Sequence, residues 1–241
     1  MGTVAVAMVC KTPIAGQSKT RLSPPLSPDE CARLSACFIS DVASTIQSLA
    51  SSGDVTGYAV YTPEGSEAAM QLLLPDGFRL LAQRGIGLSE RLTAATADLF
   101  AAGHTGAILV NADGPTLPRS ILRAAVEAVR GGDRVVLSPA LDGGYTLIGL
   151  SKPHPEIFAD IPWSTAAVYR ATVKRARDMA LTVTNVPGWY DVDDLAALHI
   201  LEAELGGRPP ACAAHGVVGG DAPATRRFLA EHGAALASAA R

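Results

Sequence analysis

A chain of 241 residues, 48% hydrophobic and 18% charged, is long enough to bury one large core and too apolar to remain disordered. Its formal net charge of -3 gives no electrostatic reason to bind nucleic acid or an anionic membrane, so the expected partner is a small molecule. Cys10, Cys31, Cys37 and Cys212 have no CxxC spacing, which argues against a metal or disulfide framework and suits reduced thiols in the cytoplasm.

The apolar stretch 4–10 is too short for a membrane span and lacks a basic leader, so residues 3–9 are predicted as a first strand. It runs into Lys11-Thr12-Pro13-Ile14-Ala15-Gly16-Gln17-Ser18-Lys19-Thr20-Arg21-Leu22, which holds two of the four lysines. Crowding Lys11, Lys19 and Arg21 is unfavourable unless an anion sits among them, since each close opposite-charge pair is worth ~4 kcal/mol at an effective dielectric of about 20. A phosphate would serve, and the backbone N–H groups around Gly16 can face one. The spacing is not a Walker A loop, and a solvated basic loop is the competing reading.

Ser27-Pro28-Asp29-Glu30 carries a cap, a first-turn proline and a reciprocal glutamate, and Leu34, Phe38, Val42, Ile46 and Leu49 continue as one apolar stripe. Residues 54–61 and 78–82 read as strands, the second ending at Gln83-Arg84-Gly85-Ile86-Gly87, and Ser89-Glu90-Arg91-Leu92 opens a helix to about 102. Gln83, Arg84, Glu90 and Arg91 are placed to touch a base or a phosphate, or simply to cap that helix.

Residues 107–110 form a branched apolar run that suits a strand buried on both faces of a parallel sheet, and Asn111-Ala112-Asp113-Gly114-Pro115 ends it. Ligands bind at the carboxyl ends of such strands, where Asp113 can hold a hard cation; the alternative is that Asp113 caps a helix over 118–130. Residues 134–138 and 145–150 are strands flanking Asp142-Gly143-Gly144-Tyr145, either a ligand approach or a plain turn. Trp163-Ser164-Thr165 precedes a helix reaching 179, with Ser164 as its cap and Trp163 either core or pocket wall. After a last strand over 181–186 come Asp191, Asp193 and Asp194, at the start of a helix through 205. One acid would satisfy the helix dipole; Asp191 and Asp193 alternate across Val192, so an extended segment turns both to one side as further metal ligands. Residues 1–205 are thus read as one α/β unit, and 206–241 as a Pro-, Gly- and Ala-rich appendage with a short helix and no assigned chemistry.

Taken in order, Lys11-Thr12-Pro13 with Gly16 and Lys19-Thr20-Arg21-Leu22, then Leu88-Ser89-Glu90-Arg91, Asp113 to Pro118, Asp142-Gly143-Gly144-Tyr145, Trp163-Ser164-Thr165 and Trp189 to Leu195 resemble one family. It is the glycosyltransferase-A-like family labelled nucleotide-diphospho-sugar transferase or arsenosugar-biosynthesis glycosyltransferase, and the chain is more distantly similar to 2-phospho-lactate guanylyltransferase. The resemblance spans 4 to about 205. It implies an α/β fold, a Rossmann-like mixed, mostly parallel sheet flanked by helices, binding a nucleotide with Mg²⁺ or Mn²⁺. Lys11, Lys19 and Arg21 would hold phosphates and Asp113 with Asp191 or Asp193 the metal, while Gly16, Gln83, Glu90 and Arg91 stand, from their positions, as further candidates for binding the nucleotide. Where the family usually has Asp-Ser-Pro, this chain has Asp113-Gly114-Pro115; Gln17 stands where an arginine is frequent; and the Asp-x-Asp pair of many glycosyltransferases is Asn111-Ala112-Asp113.

Three functions follow as expectations. In the first, a metal-dependent glycosyltransferase uses a nucleotide-diphospho-sugar donor and a small-molecule acceptor, with Asp113, Lys19 and Arg21 stabilising the departing diphosphate and Asp142 orienting or deprotonating the acceptor hydroxyl. In the second, a nucleotidyltransferase moves a nucleoside monophosphate from a triphosphate onto a phosphorylated small molecule or sugar phosphate, releasing pyrophosphate. The third is a non-catalytic nucleotide-binding protein. A homodimer is compatible with each; neither nucleic acid nor a membrane is expected.

Overall fold

The computed structural model describes residues 2–51 and 53–239. Seven strands, β1 (Val4–Lys11), β2 (Val55–Thr62), β3 (Arg79–Ala82), β4 (Gly106–Asn111), β5 (Arg134–Pro139), β6 (Tyr145–Leu150) and β7 (Thr182–Asn185), make one sheet in the order β3-β2-β1-β4-β6-β5-β7. All neighbouring strands are parallel except β6, which runs antiparallel to both β4 and β5. The link from β5 to β6 is too short for a crossover helix, so the chain must turn back on itself there. The mixed, mostly parallel α/β sheet is the one anticipated from the sequence.

Alternation along β1 sends Val4, Val6 and Met8 to one face and Ala5 and Ala7 to the other, all of them buried. The first face is covered by α1 (Pro28–Ala50), α4 (Arg119–Arg130), α6 (Leu195–Leu205) and α7 (Pro223–Ala239), the second by α3 (Leu88–Ala101) and α5 (Val168–Asp178). The capping box forms at the start of α1: Ser27 N donates to Glu30 at 2.7 Å and Glu30 N to the Ser27 hydroxyl at 3.3 Å. Leu34, Phe38, Val42, Ile46 and Leu49 are all buried under the sheet, each contributing about 1.5–3 kcal/mol.

Three local features differ from the sequence reading. A short helix α2 (Glu67–Gln71) follows β2, too brief to leave a periodic signal. Ser164 does not cap α5: it lies outside the helix with φ 61°, Ala167 takes the cap position, and Thr165 Oγ1 accepts from Ala167 N at 3.2 Å. The segment after Gly206 joins the main core through Phe228 and Leu229 of α7, Gly220 N donates to the Thr116 carbonyl at 2.8 Å, and the Asp41 carboxylate of α1 accepts from Ala224 N and Thr225 N at 3.0 and 2.8 Å. Among the described residues, no helix is long and apolar enough to cross a membrane.

Because β1 has β2 on one side and β4 on the other, the chain reverses its direction of winding between β1 and β4. That crevice, at the carboxyl ends of β1 and β4, is where an open α/β sheet binds ligands.

Candidate functional site

Asp113 lies two residues past the end of β4, at this crevice, with its carboxylate 42% exposed. It does not cap the following helix, whose cap position is Pro118 with no side-chain hydrogen bond. Val192 N donates to the Asp113 carbonyl at 2.8 Å, and this single backbone bond brings the second acidic cluster against the first. The chain reaches that point by running alongside β5: Val186 N bonds the Leu137 carbonyl at 2.9 Å and Trp189 N the Pro139 carbonyl at 3.1 Å.

Asp191 and Asp193 then flank Val192, itself fully buried. Asp191 Oδ2 accepts from the Asn111 amide at 2.8 Å, while its other oxygen, Oδ1, is buried with no hydrogen-bond partner. Burial, reinforced by the charges of Asp113 and Asp193 and opposed by Asn111 and Lys19, pushes the Asp191 carboxyl up to about 8. Asn111 also donates to the Tyr145 carbonyl at 3.1 Å, so its side chain is fixed from two sides. Asp194, by contrast, is the helix-capping acid, its Oδ1 accepting from Ala197 N at 2.9 Å.

Lys19 is drawn into the same cluster. Its Nζ donates to Asp113 Oδ1 at 2.7 Å, Asp193 Oδ1 at 3.0 Å and the Val192 carbonyl at 2.6 Å, and lies 5.3 Å from the Phe38 ring centroid. The side chain is only 6% exposed. Burial acts to lower the ammonium's pKa, yet the two carboxylates outweigh it and the net shift is upward. Lys19 takes a left-handed backbone conformation, φ 48° and ψ 38°, which costs a non-glycine residue about 1–2 kcal/mol and folds the side chain back towards Asp113.

Beside the cluster opens a cleft of about 260 Å³ lined by Arg21, Leu141, Asp142, Tyr190, Asp191 and Asp193, among others. Arg21 is exposed. Asp142 is held by its own turn, with Oδ1 accepting from Gly144 N at 2.8 Å. Gly143 is required there: it has φ +90°, and a β-carbon would fall 2.4 Å from the Ala166 carbonyl oxygen. A larger hollow of about 480 Å³, lined by Gly2, Thr105, Arg130, Asp133 and Lys152, lies at the opposite end of the sheet, away from every residue singled out in the sequence.

The remaining sequence-predicted residues sit on the β1 and β3 side. Lys11 is exposed at the end of β1, and Gly16 lies in the exposed part of the first loop. Gln83 donates through Nε2 to the Cys10 and Val60 carbonyls, both at 2.9 Å; Glu90 Oε2 accepts from Ile86 N at 2.9 Å; and Arg91 donates to the Gly85 carbonyl at 3.1 Å. These three side chains brace the loop after β3 and hold Ile86 out, 92% exposed. Trp163 Nε1 donates to Ser89 Oγ at 2.7 Å, and Ser89 to the Phe158 carbonyl at 2.7 Å, so both bind protein groups.

Two contributors escaped the sequence reading as site residues. Asn111 holds Asp191, and its signal was present: it occupies the first position of the Asp-x-Asp pattern. Glu204 of α6 accepts from Thr116 Oγ1 at 2.7 Å and from the Tyr190 hydroxyl, tying together the segments that carry Asp113 and Asp191. Nothing in its local sequence marked it.

No curated protein matches the chain. Among solved structures, the chain is similar to a protein of Desulfovibrio desulfuricans G20 provisionally named a nucleotide-diphospho-sugar transferase, with 27% identity, coverage of 99% of this chain and 98% of that one, and a TM-score of 0.82. The fold is shared with CMP:2-keto-3-deoxy-manno-octonic acid synthetase complexed with CTP (11% identity, 85% and 98% covered, TM-score 0.54). It is also shared with glucosyl-3-phosphoglycerate synthase of Mycobacterium tuberculosis in complex with Mn²⁺, UDP and phosphoglyceric acid (13% identity, 87% and 80% covered, TM-score 0.50). These neighbours are transferases, and the architecture is that of the glycosyltransferase-A-like group. Residues 45–165, about half of the chain, match the family described as "Uncharacterized protein conserved in bacteria (DUF2064)", and the chain belongs to that family.

Proposed function

We propose that the chain is a metal-dependent transferase that moves a glycosyl group from a nucleotide-diphospho-sugar to a small-molecule acceptor. The observation that carries this reading is the buried, unpartnered Oδ1 of Asp191 beside Asp113 and Asp193 at the carboxyl end of β4. A desolvated carboxyl oxygen without a donor fits a hard cation, and carboxylates are the ligands that Mg²⁺ or Mn²⁺ takes. Among the described residues no three such side chains are already gathered closely enough to hold an ion, so binding has to draw these acids together. Asp113, Asp191 and Asp193 would hold it. Such a cation supplies charge stabilisation to a departing diphosphate.

The chain's own groups then divide the work. Arg21, on the cleft wall, offers its guanidinium to diphosphate oxygens, and the exposed Lys11 extends the same positive edge. Asp142, held in its turn on the wall of the same cleft, accepts the acceptor hydroxyl's hydrogen bond and takes its proton as the new glycosidic bond forms and the bond to the diphosphate breaks. The loop braced by Gln83, Glu90 and Arg91 faces the nucleoside end. Neighbours of this fold bind UDP with Mn²⁺ in one case and CTP in another, which supports a nucleotide donor. Titration calorimetry with UDP- and GDP-sugars in Mn²⁺ is the test: Asp113→Ala should abolish metal-dependent nucleotide binding, and unchanged binding would discard the site.

A second reading, nucleotidyl transfer from a triphosphate to a sugar phosphate, is favoured by Asn111 in place of the first acid of the Asp-x-Asp pair. The product separates the two: nucleoside diphosphate released from a nucleotide-sugar supports the first, pyrophosphate released from a triphosphate the second.

A further inference from the structure

Lys19 belongs to the cationic loop that reads as a phosphate cradle, yet its ammonium is turned away from solvent and spends all three of its donors on Asp113, Asp193 and the Val192 carbonyl, at 2.7, 3.0 and 2.6 Å. The burial is one-sided: the lysine side chain is 6% exposed, whereas its partners Asp113 and Asp193 are 42% and 51% exposed. Asp193 lines the cleft, and the ammonium bridges Asp113 and Asp193, with the centroid of the Phe38 ring 5.3 Å away. A monovalent cation thus already sits where two of the three candidate metal ligands converge.

We propose that Lys19 is the exchangeable counter-ion of this site: its ammonium occupies the Asp113–Asp193 position in the metal-free protein and yields it to a divalent cation. The inference rests on reading Asp113, Asp191 and Asp193 as metal ligands. A Mg²⁺ or Mn²⁺ ion needs its carboxylate oxygens at about 2.1 Å, and an ammonium hydrogen-bonded to the same Asp113 oxygen cannot share it without close cation–cation repulsion. One of the two cations has to give up that oxygen.

The same exclusion explains the cluster's uneven satisfaction. Lys19 reaches Asp113 and Asp193 but makes no hydrogen bond to Asp191, whose Oδ1 is left without any partner. A three-donor ammonium has no further N–H to give, whereas a divalent cation accepts six or more oxygens and can take in Asp191 as well. Once displaced, a lysine leaving a buried seat needs a new anion, and the diphosphate of a nucleotide is the anion this site would receive. Metal alone therefore binds against the cost of expelling Lys19, and metal with nucleotide binds without it.

Two measurements on the full-length protein test this, with Mn²⁺ alone as the probe. Calorimetric titration should show Lys19→Met binding Mn²⁺ about tenfold tighter than the wild type, the factor expected when the lysine-seated form makes up some nine-tenths of the metal-free population. Reductive methylation of the wild type, read at Lys19 by mass spectrometry, should rise on adding Mn²⁺, because the amine leaves its buried seat. This second arm needs no variant, so a poorly folding Lys19→Met leaves the proposal testable, and it separates true displacement from the mere loss of a nearby positive charge. Wild-type Mn²⁺ binding with Lys19 labelling unchanged, or Lys19→Met binding Mn²⁺ no tighter than the wild type, overturns the exchange while leaving the metal site standing. No Mn²⁺ binding by either protein overturns both.

Discussion

Gly114 is pressed against the segment that carries Asp191: a β-carbon at position 114 would lie 3.0 Å from the Tyr190 carbonyl oxygen and 3.4 Å from Asp191 Oδ1. The glycine is there for close approach, and the neighbour has little freedom to give way. Tyr190 is buried and its hydroxyl is tied to Glu204, and Val192 N is bonded to the Asp113 carbonyl at 2.8 Å. Gly114→Ala is therefore expected to destabilise the fold by about 1–3 kcal/mol through overpacking. It should also weaken Mn²⁺ binding by roughly 10–100-fold, as other substitutions that disturb the support of a metal ligand do. Urea denaturation and Mn²⁺ calorimetry check the two effects; an alanine variant matching the wild type in both would mean that the two segments can part freely.

Asp142 offers a separation of chemistry from binding. It lines the cleft shared with Arg21 and Asp191, and it is fixed by the Gly144 N–H at 2.8 Å rather than by any of the other acids. Asp142→Ala should lower the turnover of glycosyl transfer by roughly 10²–10⁴-fold, the range for a lost general base, with Mn²⁺ and nucleotide affinities close to wild type. A fall in nucleotide affinity that accounts for the whole loss would instead place Asp142 at the donor.

The sheet was legible because most of its strands are short apolar runs closed by glycine, proline or an acid, and Asp191 and Asp193, which alternate about the buried Val192, both line the cleft. Single residues decided by distant contacts were not legible. Lys19 reads as a phosphate ligand because it stands in a cationic loop, yet it is claimed by Val192 and Asp193, 173 and 174 residues away, after a left-handed turn that no lysine advertises. Ser164 looked like a helix cap for the same local reason, and the backbone took the turn first. Glu204 sits on an ordinary helix, and only the packing of α6 against the Thr116 and Tyr190 segments makes it part of the site's frame.

Asp41 is where the C-terminal segment is fastened to the body of the protein. Buried in α1, its two carboxylate oxygens accept from Ala224 N and Thr225 N at 3.0 and 2.8 Å, doing for α7 what a capping side chain of its own would do. Asp41→Ala leaves two helix-terminal N–H groups without acceptors and should cost about 1–3 kcal/mol in urea denaturation. Mn²⁺ binding should be unaffected, because none of these groups touches the acidic cluster. A wild-type melting curve for this variant would show that α7 is held by its apolar contacts alone.

Glu204 sets a pH dependence whose sign can be worked out. Burial holds its carboxyl above the ordinary value of 4.5, opposed by hydrogen bonds from Tyr190 and Thr116 and by the charge of Arg226. With its folded pKa raised, the group binds more protons folded than unfolded, so its contribution to stability is complete below 4.5 and is lost as pH rises through the folded value. Glu204→Gln keeps an oxygen to accept from Tyr190 and Thr116, at 2.7 Å for the latter, but cannot ionise. The advantage of the glutamine variant over the wild type in urea denaturation should therefore grow as pH rises from the ordinary value of 4.5 through the raised folded value. Parallel stability profiles for the two proteins across that interval would show that Glu204 ionises in the folded protein as easily as in the unfolded chain.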